Sequence, residues 1–384
     1  MKIKILHIIK TLQVGGAESN LLNLVTAMQD MPFDFHVAYS FGGELEGKFQ
    51  DAGLKLFKYS LKEHKIKSLA SFGIILRLKR YIQENEIDIL QSHTLNAHVW
   101  GLIAAKLAGC KVVEHVHDAR YFDKEEYKRR RGFSNQYKFA SLLKNQSDCV
   151  VVLTRQNKEF IRKHKLYPEH KIRQIYNGIL FNDSLKTTHQ SKREFFRRYN
   201  LHHDALLVLS PSRLSPEKNV ELIAHVASEV VKTVPNVVFL IAGSGGLENE
   251  VRCLIHDLRL QNNVLLIGYQ EEIKHILSLI DIFFLPSLLE LHSIAIMEAM
   301  SQMVPVVVSA NVGCNDEFII DGMNGFLCDP FLKDRWVNVI INLLQDPKLR
   351  NEVGAAGFKT CKERFDMKLA SNKFKDLYRD LAKP

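Results

Sequence analysis

The sequence predicts an α/β protein built from two doubly wound units, each a parallel sheet with helices on both faces. Three observations carry this. Apolar strand-like runs alternate with helical stretches from about residue 3 to 176. The same alternation restarts after about residue 201. Strand runs such as Val237–Ala242 are apolar throughout, the pattern of parallel strands buried on both faces. In order, strands are expected near 3–9, 34–40, 88–92, 111–116, 149–153 and 172–176, with helices near 17–29, 66–84, 95–108, 132–146 and 155–164. The second set of strands falls near 205–210, 237–242, 263–267, 281–285 and 304–308. The polar stretch from about Asn182 to Asn200 reads as a linker with a short leading helix. The domains are therefore placed at 1–180 and 181–365, followed by a last helix at about 366–384.

Composition narrows the classes. The chain has 384 residues, 46% hydrophobic and 25% charged, enough for two separate cores. No apolar run approaches the ~20 residues of a membrane span. The N-terminus leads straight into a strand without a signal-peptide core, so a cytoplasmic location is expected. Six scattered cysteines lack disulfide or zinc spacing and read as free core thiols.

The charge is uneven. Residues 1–180 hold 29 Lys and Arg against 18 Asp and Glu, while the rest holds 23 against 25. The excess gathers in Lys62–Arg80, Lys128–Arg131 and Arg155–Arg173. The first of these, with the residues just after it, also carries Ile66, Leu69, Phe72, Ile75, Leu76 and Ile82, an amphipathic basic helix that can lie on an anionic membrane surface or pack with a solvated cationic face. No zinc finger, recognition helix or aromatic RNA-binding motif accompanies the basic half, so no nucleic acid is expected as a partner.

The chemistry-bearing residues cluster at strand-to-helix junctions. Glu290 and Glu298 flank the point where the strand Ile282–Leu285 gives way to a helix, with Ser293 placed as its N-cap. Free N–H groups at that helix start favour a phosphate, and the carboxylates on either side accept hydrogen bonds from hydroxyls. Hydroxyls, phosphates and more hydroxyls describe a sugar nucleotide. Arg213 and Lys218 follow the strand Ala205–Leu209 and precede a helix expected from about Glu217; both suit phosphate binding. His93 and His98 read as core histidines. No Asp-x-Asp motif follows a strand, so no metal and no cofactor is expected, the Arg/Lys pair serving in place of a divalent cation.

With these clusters the chain resembles the retaining glycosyltransferases of GT-B fold known as family 4. Val14-Gly15-Gly16-Ala17-Glu18 is similar to that family's glycine loop, and Val112–Asp118 to its strand ending in His-Asp. Ile175–Gly178, Ile241–Gly246, Leu266–Gly268 and Asn324–Leu327 match in order and spacing. The resemblance implies two Rossmann-like domains with catalysis in the cleft between them, and a last helix returning to the N-terminal domain. It also implies transfer of a sugar from a nucleotide diphosphate, with retention of configuration, to a glycan or lipid-linked acceptor in bacterial surface polysaccharide or lipopolysaccharide synthesis. By the same resemblance UDP-sugars are favoured and GDP-sugars possible, and a peripheral position on the inner face of the membrane is expected. Glu298 would bind the ribose, and Glu290 the transferred sugar. Arg213 and Lys218 would stabilise the departing diphosphate. Gly15 and Gly16 would approach the phosphate, and His117 the sugar or the acceptor, with Asp118 orienting His117 or capping a helix. Gly243 and Tyr269 lie in the nucleotide-facing loops, Tyr269 where a base would stack.

One segment departs from the family pattern. Glu-Gly-Phe-Gly is usual at the first carboxylate, whereas Glu290-Leu291-His292-Ser293 stands here. His292 could hydrogen-bond a sugar hydroxyl or a phosphate in its place. A sugar-nucleotide epimerase and a non-catalytic binding protein are the alternative readings; the altered loop supports only the second of these.

Overall fold

The computed structural model describes residues 2–60, 69–117, 145–181, 189–271 and 273–383. Lys62, Lys65, Lys67, Asp118, Lys128–Arg131, nearly all of the helix expected at 132–146 and residues 182–188 of the linker lie outside the described residues. Two compact units result: Met1–Leu180 with Met367–Pro384, and Phe181–Asp366.

The first unit is a seven-stranded parallel sheet. Its strands are β1 (Ile3–Ile8), β2 (Phe33–Tyr39), β3 (Lys55–Lys58), β4 (Ile89–Ser92), β5 (Lys111–Val116), β6 (Cys149–Val152) and β7 (Ile172–Gln174), in the spatial order β3-β2-β1-β4-β5-β6-β7. Strand β3 and the helix α2 (Glu46–Asp51) were not expected from the sequence. Each is short, and β3 is an edge strand whose Lys55 and Lys58 are exposed, so its apolar signal is weak. Helices α1 (Gly16–Ala27), α3 (Leu69–Glu84), α4 (Leu95–Ala108) and α5 (Arg155–Lys163) complete the layers. In α3 the residues one turn apart, Ile74, Leu78 and Ile82, face the core, where α4 packs beside it.

The second unit begins with α6 (His189–Arg198) and holds a six-stranded parallel sheet. Its strands are β8 (Leu206–Pro211), β9 (Val237–Ala242), β10 (Val264–Leu266), β11 (Ile282–Leu285), β12 (Val306–Ser309) and β13 (Phe326–Cys328), ordered β10-β9-β8-β11-β12-β13. Every residue of β9, β11 and β12 is buried, as parallel strands covered on both faces require. Helices α7 (Val220–Thr233), α8 (Glu248–Asp257), α9 (Ile273–Leu277), α10 (Ile294–Ser301), α11 (Asn315–Phe318), α12 (Lys333–Gln345) and α13 (Pro347–Phe365) follow. Phe284 of β11 and Trp336 of α12 are fully buried and meet with ring centroids 5.2 Å apart.

The last helix, α14 (Met367–Leu381), belongs to the first unit and lies against α1. Met367, Phe374, Leu377 and Tyr378 enter its core. The crossing is close at Gly178, where a Cβ would stand 2.7 Å from the Met367 Cα. All six cysteines are free thiols; five are buried, but Cys253 is exposed on α8.

Candidate active site

In both sheets the strand order reverses at a neighbouring pair, β1 with β4 and β8 with β11. A crevice outside the carboxyl ends of the strands forms at such a switch point. Arg213, Gly243, Tyr269, Glu290 and His117 lie at these ends or just beyond them.

In the second unit Arg213 follows β8, Gly243 follows β9, Tyr269 follows β10 and Glu290 follows β11. The segment after β8 differs from the sequence expectation. Pro216–Lys218 form one 3-10 turn, Asn219 is left-handed at φ 53°, and α7 begins only at Val220. Pro216 favours the tight turn and Asn tolerates the left-handed position. The break turns Lys218 off the helix, and its Nζ donates to Glu290 Oε1 at 2.6 Å. The backbone reinforces this, since the Leu288 N–H donates to the Glu217 carbonyl at 2.9 Å. The two sequence clusters are therefore one site. Arg213 is exposed and has no ion pair among the described residues, so its guanidinium is available to an anion.

The glycine loop after β9 is locked onto the loop after β8. Ser212 N–H donates to the Ala242 carbonyl, and Leu214 N–H to that of Ser244. Gly243 has φ 155°, and a Cβ there would lie 2.0 Å from the Ser212 carbonyl oxygen. Gly313 was not anticipated. At φ 62° it sits against the back of the Glu290 loop, where a Cβ would be 2.7 Å from the Leu291 oxygen, and the next residue, Cys314, donates its N–H to that oxygen. Only its place after the apolar strand Val306–Ser309 could have signalled it.

Ser293 holds the N-cap position of α10, but its side chain makes no capping bond, which leaves first-turn N–H groups for a ligand. Glu298 falls in the second turn of α10, and burial raises its pKa above the ordinary 4.5. Tyr269 is 54% exposed beside Gly268, which is left-handed at φ 69°. His292 is a correction. Its imidazole is buried and packs edge-on against Phe365 at 5.1 Å and Phe318 at 6.3 Å. The ring fills the space behind the loop, and burial pushes its pKa down to about 3.

In the first unit Gly15 is the N-cap of α1 and Gly16 its first residue. Glu18 turns its carboxylate back over the loop, within 2.5 Å of where a Gly15 Cβ would stand. Burial raises the Glu18 pKa.

His117, at the end of β5, is joined to residues the sequence had assigned to the core. His93 is buried, as expected, but its Nδ1 lies 3.5 Å from His117 Nε2, and its Nε2 lies 3.0 Å from His7 Nδ1. His115 stacks on His117 with centroids 4.5 Å apart. Its Nδ1 accepts from Gln91 Nε2 at 3.2 Å, and Gln91 Oε1 in turn accepts from the Tyr378 hydroxyl at 2.7 Å. His98 is buried and pairs with Ser92 and Glu114, clear of this chain. The signal that would have found the cluster is register: β1, β4 and β5 are adjacent, and His7, His93 and His115 fall near the same level.

Nitrogens of His93, His115 and His117 lie within 4.8 Å of one another, as do the donor atoms of the exposed His202, His203 and Asp204. Nδ1 of His115 is engaged by Gln91, and Nδ1 of His93 by His117.

The fold is that of two α/β units, each with charged or imidazole side chains gathered beyond the carboxyl ends of its strands. Two family profiles match the chain: "Glycosyltransferase Family 4" over residues 14–180 and "Glycosyl transferases group 1" over residues 191–360. The chain belongs to the family 4 glycosyltransferases of GT-B fold. It is 26% identical over 99% of its length, and 97% of the relative's, to the UDP-Gal:alpha-D-GlcNAc-diphosphoundecaprenol alpha-1,3-galactosyltransferase of Escherichia coli. Identity to the alpha-monoglucosyldiacylglycerol synthase of Acholeplasma laidlawii is 23%, over 74% of each chain. Among solved structures, HepE of Anabaena in complex with UDP and glucose superposes with a TM-score of 0.84 at 21% identity, covering 98% of this chain and all of that one.

Proposed function

We propose that this glycosyltransferase moves a hexose from a UDP-sugar to a lipid-linked or glycan acceptor with retention of configuration, in the synthesis of a bacterial surface polysaccharide. The observation that carries the reading is the pairing of Lys218 with Glu290 beyond the carboxyl ends of β8 and β11, with Arg213 exposed on the same loop as Lys218 and Glu298 one helical segment further on. The relative that matches nearly end to end is named for UDP-galactose and a diphosphoundecaprenol-linked sugar, and the Anabaena neighbour holds UDP and glucose. Both support a UDP-sugar.

In this reading Arg213 and Lys218 stabilise the charge that develops on the diphosphate, without a divalent cation. Glu298 accepts from the ribose hydroxyls, and Tyr269 offers its ring to the base. Glu290 accepts from the transferred sugar, and its ion pair keeps Lys218 turned toward the same place. The Gly15–Gly16 loop serves the phosphate and His117 the sugar. The C1–O bond to phosphate breaks, and a C1–O bond to the acceptor forms on the same face. The acceptor's hydroxyl proton passes to the leaving phosphate oxygen.

Calorimetry in EDTA with UDP, GDP and ADP tests this. UDP is expected to bind alone or most tightly, and Glu298→Gln to weaken it by roughly 1.5–3 kcal/mol, tenfold or more. Because folding raises the Glu298 pKa, the native state disfavours its ionised form. Stability is therefore fully present below 4.5 and declines as pH rises through the folded value. Glu298→Gln is expected to melt higher than wild type above that range while binding less UDP. Equal binding of all three nucleotides, or none, would sink the donor assignment.

A lipid-linked acceptor calls for a membrane face, which we place on α3. Its outer side exposes Phe72 (63%) and Leu76 (45%), one turn apart, beside Arg77 and Arg80. No helix among the described residues is long and apolar enough to cross a membrane, so the contact would be peripheral. Sedimentation with vesicles containing anionic phosphatidylglycerol should fall for Phe72→Ser/Leu76→Ser and at high salt. Co-sedimentation unchanged by both would remove α3 from the role.

A further inference from the structure

We propose that His93 and His7 are positioning residues that fix which ring nitrogen of His117 carries its proton, and so the hydrogen bond His117 offers the transferred sugar. The proposal rests on the reading of His117 as a substrate contact.

The three rings form one hydrogen-bonded chain from the interior outward: His7 Nδ1 to His93 Nε2 at 3.0 Å, then His93 Nδ1 to His117 Nε2 at 3.5 Å. A neutral imidazole donates at one nitrogen and accepts at the other, so two neutral rings sharing a bond cannot choose their tautomers independently. Only two orders satisfy both bonds. Running outward, His7 donates to His93, His93 donates to His117 Nε2, and the His117 proton stands on Nδ1. Running inward, His117 donates from Nε2, its Nδ1 is a bare lone pair, and His7 carries its proton on Nε2.

The inner end of the chain distinguishes the two. His7 is fully buried, and its Nε2 has no partner among the described residues. The inward order would place an N–H there without an acceptor, the rarer of the two defects in folded proteins. The outward order leaves only an unused lone pair. The chain therefore selects the Nδ1–H form of His117, which offers a donor to a sugar oxygen.

The surroundings hold this arrangement. His7 stacks on Phe35 at 5.7 Å, and His115 stacks on His117. Tyr378 of α14 fixes Gln91, and Gln91 fixes His115. Burial holds His7 down to about 3, His117 to about 4 and His93 well below its ordinary value, so at neutral pH the chain carries one proton per ring.

The test reads the tautomer itself. Long-range proton–nitrogen correlation spectra of the 15N-histidine-labelled full chain, assigned with His117→Gln, should show His117 as the Nδ1–H form. In His93→Phe, which keeps a ring and removes both bonds, the two His117 nitrogen shifts should move toward a mixture. The kcat should fall about 10- to 100-fold with little change in donor KM, as for groups that orient a reacting side chain. His93→Asn, which restores a donor, should recover part of the loss. If His93→Phe does not fold, His7→Phe removes the inner link alone and should move the same shifts. An Nε2–H form in the wild type, or a His117 tautomer unmoved in the variants, overturns the proposal. Wild-type turnover by His117→Gln would instead overturn the substrate-contact reading, while the tautomer shifts would still judge the chain.

Discussion

Arg213→Ala is expected to lower kcat/KM about 100- to 1000-fold, the cost of removing one preorganised group aimed at developing charge. The size of the effect follows from how the two cations are placed. Lys218 is already held by Glu290 at 2.6 Å, whereas Arg213 has no ion pair among the described residues. Arg213 is thus the cation that no side chain holds in an ion pair among the described residues, and it remains for the departing diphosphate. It is also exposed, so its removal leaves no cavity and no buried partner behind, and the melting temperature should hold. Arg213→Lys should restore only part of the activity, because a point charge replaces a planar fork that can grip two phosphate oxygens. Lys218→Ala has a second consequence, since it also releases Glu290 with its side chain only 11% exposed. A steady-state assay with the preferred UDP-sugar decides the matter. Near-wild-type turnover by Arg213→Ala would remove the leaving-group role from this loop.

Gly243→Ala is expected to act through the backbone and to cost about 3 kcal/mol or more, from a strained φ together with a steric conflict that no side chain can relieve. The added Cβ would stand 2.0 Å from a carbonyl oxygen, Ser212, that is itself part of the loop carrying Arg213. Either Gly243 or the Arg213 loop must shift. The second unit should then melt roughly 6–12 °C lower, and UDP binding should weaken even though no ligand contact has been removed. Gly246→Ala is the control: a Cβ there meets nothing within 4 Å, so the same substitution three residues on should be tolerated. Equal melting of the two variants would show that the two loops are not locked together.

These expectations separate what was legible in the sequence from what was not. The strand runs and their alternation with helices gave most of both sheets, while the short edge strands β3 and β13 escaped the alternation because three or four residues carry a weak apolar signal. Glu290, Glu298, Arg213 and Lys218 could be singled out because charged residues at the ends of apolar strands stand out against their neighbours. His292 could not be assigned correctly. Its position beside Glu290 suggested a ligand contact, but whether a side chain faces a crevice or a core depends on residues distant in sequence, here Phe318 and Phe365.

The sequence by itself determined the two α/β units, the family and the charged residues that stand at the strand ends, because periodicity and local chemistry are properties of short segments. Tertiary structure alone decided the pairings: Lys218 with Glu290 across 72 residues, Gly313 behind the Glu290 loop, and His7 and His93 behind His117. A parallel sheet sets side by side strands separated by whole helices, and it is the strand order and register that bring one charge to another and one imidazole to the next.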